Sequence, residues 1–411
     1  MEFKEQQLKD ILEINPRITL KKGTVTKKIA MEHLTEYVKQ VKGYELSEFK
    51  SGSKFKNQDT IVARITPCLE NGKTAYVDIL ADDEVAFGST EFFVVRAKEN
   101  KGDPQFIYYL MRHPKVRDAT IKSMTGTSGR QRAQKEAILE YSMSLPNIFD
   151  QKKIGCFLSL FDSKIEANND TIHNLEQLSQ TLFKHWFIDF EFPNEEGKPY
   201  KSSGGEMVES ELGEIPKGWS TKSLDEIAKF QNGLAMQKFR PKENADSLPV
   251  LKIKELNQGN TTLNSERCSL NIKQEVKVFD GDVIFSWSGT LLVKLWTGGD
   301  AGLNQHLFKV TSEKYEKWFY YLWTKYYLKV FQARAAEKAT TMGHIKRSHL
   351  KEAKIYLPPE KVLTRATDLI QPLIEKIIIL GIENKNLTQL RDTLLPKLLS
   401  GEIEIPDDME V

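Results

Sequence analysis

Residues 174–183 read Asn-Leu-Glu-Gln-Leu-Ser-Gln-Thr-Leu-Phe, and residues 386–395 read Asn-Leu-Thr-Gln-Leu-Arg-Asp-Thr-Leu-Leu, 212 positions later in a chain of 411. The same offset pairs Tyr108-Tyr109-Leu110 with Tyr320-Tyr321-Leu322, and Leu145-Pro146 with Leu357-Pro358. A long-period duplication sets the architecture before any local reading. It implies a globular unit followed by a long helix, then the same pair again, an arrangement suited to a two-part target.

The helices are legible from their apolar spacing. Ile154, Leu158, Phe161, Ile165, Asn168, Ile172 and Leu175 alternate steps of four and three, the spacing of a coiled-coil seam, and Leu178 and Leu182 extend it. The second copy runs Ala366, Ile370, Leu373, Ile377, Leu380, Asn384 and Leu387, extended by Leu390 and Leu394. A helix of some forty residues is roughly 60 Å long, a strut rather than a core element. It cannot bury such a stripe alone. The cheapest partner is the other copy, which predicts an antiparallel pair. Asn168 and Asn384 interrupt the two seams. They meet if the crossing centre lies near residues 170 and 382, which would help fix helix register.

The chain therefore divides into a first globular unit at 1–147, a central strut at 148–190, a flexible, polar, Gly- and Ser-containing linker at 191–210, a second globular unit at 211–357 and a distal strut at 358–401. Short runs rich in β-branched and aromatic residues predict strands at 60–65, 91–95, 283–287 and 307–310. Helices are expected over 105–117 and 318–331. The fold class is α+β: two globular units of mixed α/β structure, each followed by a long helix, with the helices packed as an antiparallel coiled coil.

Net charge is only +2, so any nucleic-acid surface must be local. No run of 18 apolar residues is present, and Lys4, Glu5, Lys9, Asp10 and Glu13 occupy the place of a signal core. Cys68, Cys156 and Cys268 are far apart, which fits the reducing cytoplasm. Catalytic signatures are thin. Asn71-Gly72-Lys73-Thr74 resembles the end of a phosphate loop, but Pro67 stands where its first glycine belongs, leaving a turn between strands. No histidine spacing suits a metal, no glycine-rich cofactor loop is present, and no catalytic residue is assigned.

Each globular unit ends in a basic, polar loop before its Leu-Pro. In the first, Lys115, Arg117, Lys122, Arg130, Arg132 and Lys135 face the single acid Asp118, around Thr125-Gly126-Thr127-Ser128-Gly129-Arg130-Gln131-Arg132. In the second, eight Lys or Arg between Lys325 and Lys354 face two acids, around Thr340-Thr341-Met342-Gly343-His344-Ile345-Lys346. Small hydroxylated residues and glycine admit a phosphate closely, and Arg or Gln can read a purine edge through two hydrogen bonds. The candidate DNA contacts are Thr127, Ser128, Arg130, Gln131 and Arg132 in one loop, and Lys338, Thr340, Thr341, His344 and Lys346 in the other. Lys54, Lys56, Arg64, Lys73, Gln237, Lys238, Arg240 and Lys252 are weaker candidates. Tyr108, Tyr109, Tyr320, Tyr321, Trp323, Tyr326 and Tyr327 lie at helical spacing, and domain core explains them better than base stacking does.

In this order of parts the chain resembles the specificity subunit of type I restriction-modification enzymes. The resemblance rests on Glu211-Leu212-Gly213-Glu214-Ile215-Pro216-Lys217-Gly218-Trp219, on the Leu-Pro before each helix, on the repeated Asn-Leu-x-Gln-Leu-x-x-Thr-Leu, and on Leu394-Leu395-Pro396-Lys397-Leu398-Leu399-Ser400-Gly401-Glu402-Ile403. The first unit lacks the Leu-Gly-Glu-Ile-Pro opening and begins around Asn15-Pro16-Arg17. The resemblance implies a non-catalytic, cytoplasmic subunit whose two domains each read half of a bipartite double-stranded DNA site, with the struts setting the unread spacer. It further implies two methyltransferase subunits docked on the struts, two restriction-translocation subunits, and S-adenosylmethionine bound by the methyltransferase rather than by this chain. Two other classes share part of the pattern: a DNA-binding module without methyltransferase partners, and a coiled-coil scaffold with no DNA role.

Overall fold

The computed structural model describes residues 2–127, 129–262, 264–336 and 343–406. It divides into two compact units, Met1–Ile165 with Leu387–Val411, and Glu166–Asn386. Two long helices, Ile148–Phe187 and Glu360–Ser400, contribute a piece to each unit. The first piece of the central strut shares a unit with the last piece of the distal strut, and the reverse holds in the other unit. Only antiparallel helices satisfy that grouping. The central strut begins at a side-chain cap: Asn147 Oδ1 accepts from the backbone N–H of Phe149 at 2.9 Å and of Asp150 at 3.0 Å.

The duplication extends to sheet topology. In unit 1, Phe3–Gln7 pairs antiparallel with Ser142–Pro146. One four-stranded sheet runs Leu12–Ile14, Phe92–Ala97, Thr60–Ala63, Thr74–Tyr76, and another runs Glu45–Glu48, Val25–Ile29, Ala86–Gly88, Ser53–Phe55. In unit 2 the first pair is Ser220–Ser223 with Lys354–Leu357, and the sheets run Lys229–Asn232, Leu307–Thr311, Val283–Ser286, Leu292–Leu295 and Arg267–Ser269, Ser247–Leu251, Ala301–Leu303, Lys277–Val278. Strand orders match, including one parallel pairing at the same place in each unit. The strands Thr60–Ala63 and Val283–Ser286 are buried along their whole length, which explains their continuous apolar character.

Three differences from the sequence reading have physical causes. The helix expected over 105–117 is two helices, Pro104–Arg112 and Pro114–Lys122. Pro114 pushes His113 out of the helical region, to φ −58 and ψ 131. Unit 1 starts its fold at Phe3–Gln7, ahead of Asn15, because that strand does for unit 1 what Ser220–Ser223 does for unit 2. What unit 1 lacks is the hairpin Met207–Ser210 with Gly213–Pro216, which carries the Leu-Gly-Glu-Ile-Pro motif. The stretch 191–210 is also more than a polar spacer. Phe190 and Phe192 are buried around Trp219, at 5.5 and 5.2 Å between ring centres, and Tyr200 stacks on Phe192 at 4.6 Å.

The seams follow their spacing over most of their length, with Asp162 and Ile374 buried beside the half-buried Phe161 and Leu373, and beyond Leu175 and Leu387 they shift by one residue in both copies. Leu178 and Leu390 are exposed, whereas Ser179, Phe183, Trp186 and Phe187 are buried, as are Arg391, Leu395, Leu398 and Leu399 at the same offset. A straight helix drifts about 20° per heptad against a 3.5-residue repeat, which moves the facing row by one position. The late rows also meet a globular core: Phe183 and Phe187 join Trp219, Trp318 and Trp323, and Leu395, Leu398 and Leu399 join Leu8, Ile11 and Tyr108.

Candidate nucleic-acid interface

Each candidate loop hangs from the end of a buried strand. In unit 1, Thr125 and Arg132 exchange backbone hydrogen bonds at 3.0 and 2.9 Å, closing a loop that needs Gly126 at φ +128 and Gly129 at φ +79. Ala133 N–H donates to the Arg64 carbonyl at 2.8 Å, and Thr66 N–H donates to the Gln131 carbonyl at 3.0 Å, so the loop is tied to the segment leaving Thr60–Ala63. In unit 2, Ile345 N–H donates to the Trp287 carbonyl at 3.0 Å, and Gly289 N–H to the Gly343 carbonyl at 2.9 Å, beside Val283–Ser286.

A third strand completes the frame. Arg64 N–H donates to the Glu91 carbonyl at 2.9 Å, and Trp287 N–H to the His306 carbonyl at 3.4 Å. Three positions therefore correspond: Arg64 with Trp287, Glu91 with His306, and Arg132 with His344. Ala133 and Ile345, the next residues along, are both buried. In both units the loop is anchored immediately after the position that faces water.

The side chains on that shared frame differ. In unit 1 the Glu91 carboxylate accepts from Arg132 Nε at 3.0 Å and from Nη2 at 2.7 Å, and Arg64 lies over Phe93 with its guanidinium 5.0 Å from the ring centre. In unit 2 the Trp287 indole lies 6.0 Å from the His306 ring and 6.4 Å from the His344 ring. Arg64 Nε, Trp287 Nε1 and His306 Nδ1 are buried without a hydrogen-bond partner.

Of the expected contacts, Thr127, Arg130, Arg132, His344 and Lys346 are exposed and Gln131 is half-buried. Ser128, Lys338, Thr340 and Thr341 lie outside the described residues. Thr127 shapes the loop, its carbonyl accepting from Arg130 N–H at 3.0 Å. Much of the local charge is already engaged. Lys122 pairs with Asp118 at 2.6 Å, Arg117 lies over Tyr37 at 5.0 Å, Arg334 pairs with Glu352, and Arg347 donates to the Phe230 carbonyl at 3.1 Å. Several weaker candidates are structural: Lys54 donates to the Ile18 carbonyl at 2.6 Å, Lys73 to that of Met31 at 2.9 Å, and Lys252 pairs with Glu266. The Lys73 contact sits in the turn expected at Asn71-Gly72-Lys73. Tyr108, Tyr109, Tyr320, Tyr321 and Trp323 are core, while Tyr326 is exposed. Glu91, Trp287 and His306 are not among the expected contacts, since nothing near them in sequence points to a loop that lies 38 to 57 residues further along the chain.

At the crossing of the struts, within unit 2, Asn168 Nδ2 donates to Asn384 Oδ1 at 2.9 Å and to Glu383 Oε2 at 3.1 Å. Asn384 Nδ2 donates in turn to Asn169 Oδ1 at 3.0 Å. Among the described residues no group of His, Cys, Asp and Glu could hold a metal, and no helix is long and apolar enough to cross a membrane.

Two domains of one topology on long antiparallel helices, each presenting a loop on a matched frame, define a bidentate recognition protein. The family model for the type I restriction modification DNA specificity domain matches residues 1–177 and 216–389, and the chain belongs to that family. It is 31% identical over 320 residues to the type I restriction enzyme MjaIX specificity subunit of Methanocaldococcus jannaschii, covering 74% of this chain and 70% of that one. It is 24% identical over 428 residues to the HindI specificity subunit of Haemophilus influenzae, covering 89% and 90%. A solved type I restriction-modification system S subunit from M. genitalium shares the fold, with a TM-score of 0.51, 15% identity, and coverage of 99% and 97%.

Proposed function

We infer that this chain recognises a bipartite double-stranded DNA sequence as the specificity subunit of a type I restriction-modification complex. The observation that carries this reading is the matched loop frame, present once per unit in a chain of that family. Each loop reads one half of the site. The struts set the unread spacer and offer the surface on which two methyltransferase subunits dock, and two restriction-translocation subunits join for cleavage. This chain performs no chemistry. S-adenosylmethionine is held by the methyltransferase partners, and the complex works in the cytoplasm. The Asn168–Asn384 contact contributes by holding helix register. Purification from the native host tests the assembly: a methyltransferase subunit co-elutes, and the complex binds duplex DNA with an affinity that falls as salt rises. Recovery of the chain alone would favour a DNA-binding module without methyltransferase partners. Salt-insensitive failure to bind any duplex would favour a scaffold.

A further inference from the structure

The two units hold one backbone frame and fill it with different chemistry. Arg132 is held at both levels. Its backbone is fixed by the exchange with Thr125 and by a bridge to Ile65. Its guanidinium is fixed by Glu91, which takes Nε and one N–H of Nη2. That contact uses the side edge of the fork. The end edge, formed by Nη1 and the remaining N–H of Nη2, is the pair of parallel donors that matches the two acceptors, O6 and N7, on the major-groove edge of guanine. Adenine offers only one acceptor there. The Arg132–Glu91 pair also carries no net charge, so it is a poor phosphate clamp. A neutral, immobilised fork gains little from an anionic backbone and much from a base with two acceptors in register.

At the positions of Glu91 and Arg132 unit 2 carries His306 and His344, and the guanidinium nearby is that of Arg347, 5.4 Å from the centre of the Phe308 ring, as Arg64 lies over Phe93 in unit 1. His344 stands where Arg132 stands, its ring 6.4 Å from the Trp287 indole, which itself lies 6.0 Å from the His306 ring; His306 Nδ1 and the indole Nε1 are buried and unpartnered. An imidazole offers one donor or acceptor per nitrogen rather than a fork.

We propose that Arg132, positioned by Glu91, reads a guanine in the half-site taken by unit 1, and that His344 occupies the equivalent reading position of unit 2, so that the two halves of the target are read by different chemistry at one matched base. Arg132 and His344 are specificity determinants, and Glu91 is a positioning residue that also keeps Arg132 off the phosphates. The proposal rests on the DNA-specificity reading given above.

The test uses the full chain co-expressed with its methyltransferase partner, acting on a library of randomised duplexes, with preference scored base by base and binding measured against salt. Wild type shows a required guanine in one half-site. Arg132→Ala lowers discrimination at that base alone by about 10- to 100-fold. Arg132→Lys, which keeps the charge but not the fork, fails to restore it. Glu91→Gln loosens the same base and steepens the salt dependence by about one charge, because the released arginine now finds a phosphate. His344→Ala relaxes a position in the other half and leaves the guanine untouched. The proposal is overturned if Arg132→Ala weakens all sequences alike, if it changes nothing, or if both variants act on the same half; each leaves DNA specificity intact. A wild-type complex with no sequence preference at all would instead sink the DNA reading, and this proposal with it.

Discussion

Asp162 has 4% of its side chain exposed and Arg391 has 3%, and the two form an ion pair between the struts inside unit 1. Tyr109 donates its hydroxyl to the same carboxylate, Arg391 Nε reaches Asp392 at 2.9 Å, and Arg112 reaches Asp392 at 3.1 Å and the Tyr108 hydroxyl at 3.2 Å. Lys39 belongs to the same cluster, its Nζ 5.3 Å from the centre of the Tyr109 ring, and Asp162 and Arg391 are shut off from water while Asp392 is partly exposed. Removing one partner strands the others, so Asp162→Ala should destabilise unit 1 by about 3–5 kcal/mol in urea unfolding. The buried phenols give a pH dependence with a definite sign. Burial pushes Tyr108 up to about 12 and Tyr320 to about 12, from an ordinary value of 10.0. The folded state favours the neutral phenol, so this contribution is fully present below pH 10 and is lost as pH climbs towards 12. Phenolate absorbance should therefore rise together with loss of the fold, not ahead of it. At this scale the sequence pointed to the core tyrosines, because helical spacing is a local signal, and to the loop, because Gly126 and Gly129 lie within it. It could not show that Arg132 faces Glu91, because sheet register alone brings those positions together.

Two helical glycines mark where the domains press on the struts. A Cβ on Gly155 would lie 2.7 Å from the Phe106 amide nitrogen and 2.7 Å from Asp103 Oδ1; one on Gly381 would lie 2.6 Å from Thr297 Oγ1. Alanine usually strengthens a helix by about 0.8–1 kcal/mol over glycine. Gly155→Ala should instead cost about 1–3 kcal/mol, because the backbone of Pro104–Arg112 would have to retreat. A rise in melting temperature would refute the close-packing account. The asparagines belong to the same scale. Replacing Asn168 and Asn384 together by leucine should raise thermal stability while broadening the range of spacer lengths the complex methylates, since polar pairing in an apolar seam sacrifices stability for register. An unchanged spacer preference would assign register to the flanking ion pairs. The helices themselves were readable from a four-three spacing. Their one-residue shift at Leu178 and Leu390 was not, because it depends on the exchange of a helix partner for a domain core.

The duplication read at a 212-residue offset reappears as matched strand orders, matched loop anchors and matched helix rows. That correspondence, together with family membership, supports a molecule that reads two sequences at once. The missing legibility lies in what varies between the copies. Arg64, Glu91 and Arg132 share no chemistry with Trp287, His306 and His344, so self-comparison of the sequence passes over the positions where recognition differs. Single-molecule mapping of adenine methylation in cells carrying this chain and its methyltransferase tests the account most directly. It predicts one motif of two short specified halves, separated by an unread gap of fixed length, with Arg132→Ala relaxing one half only. A continuous motif, or a methylation pattern unchanged when the chain is deleted, would contradict it.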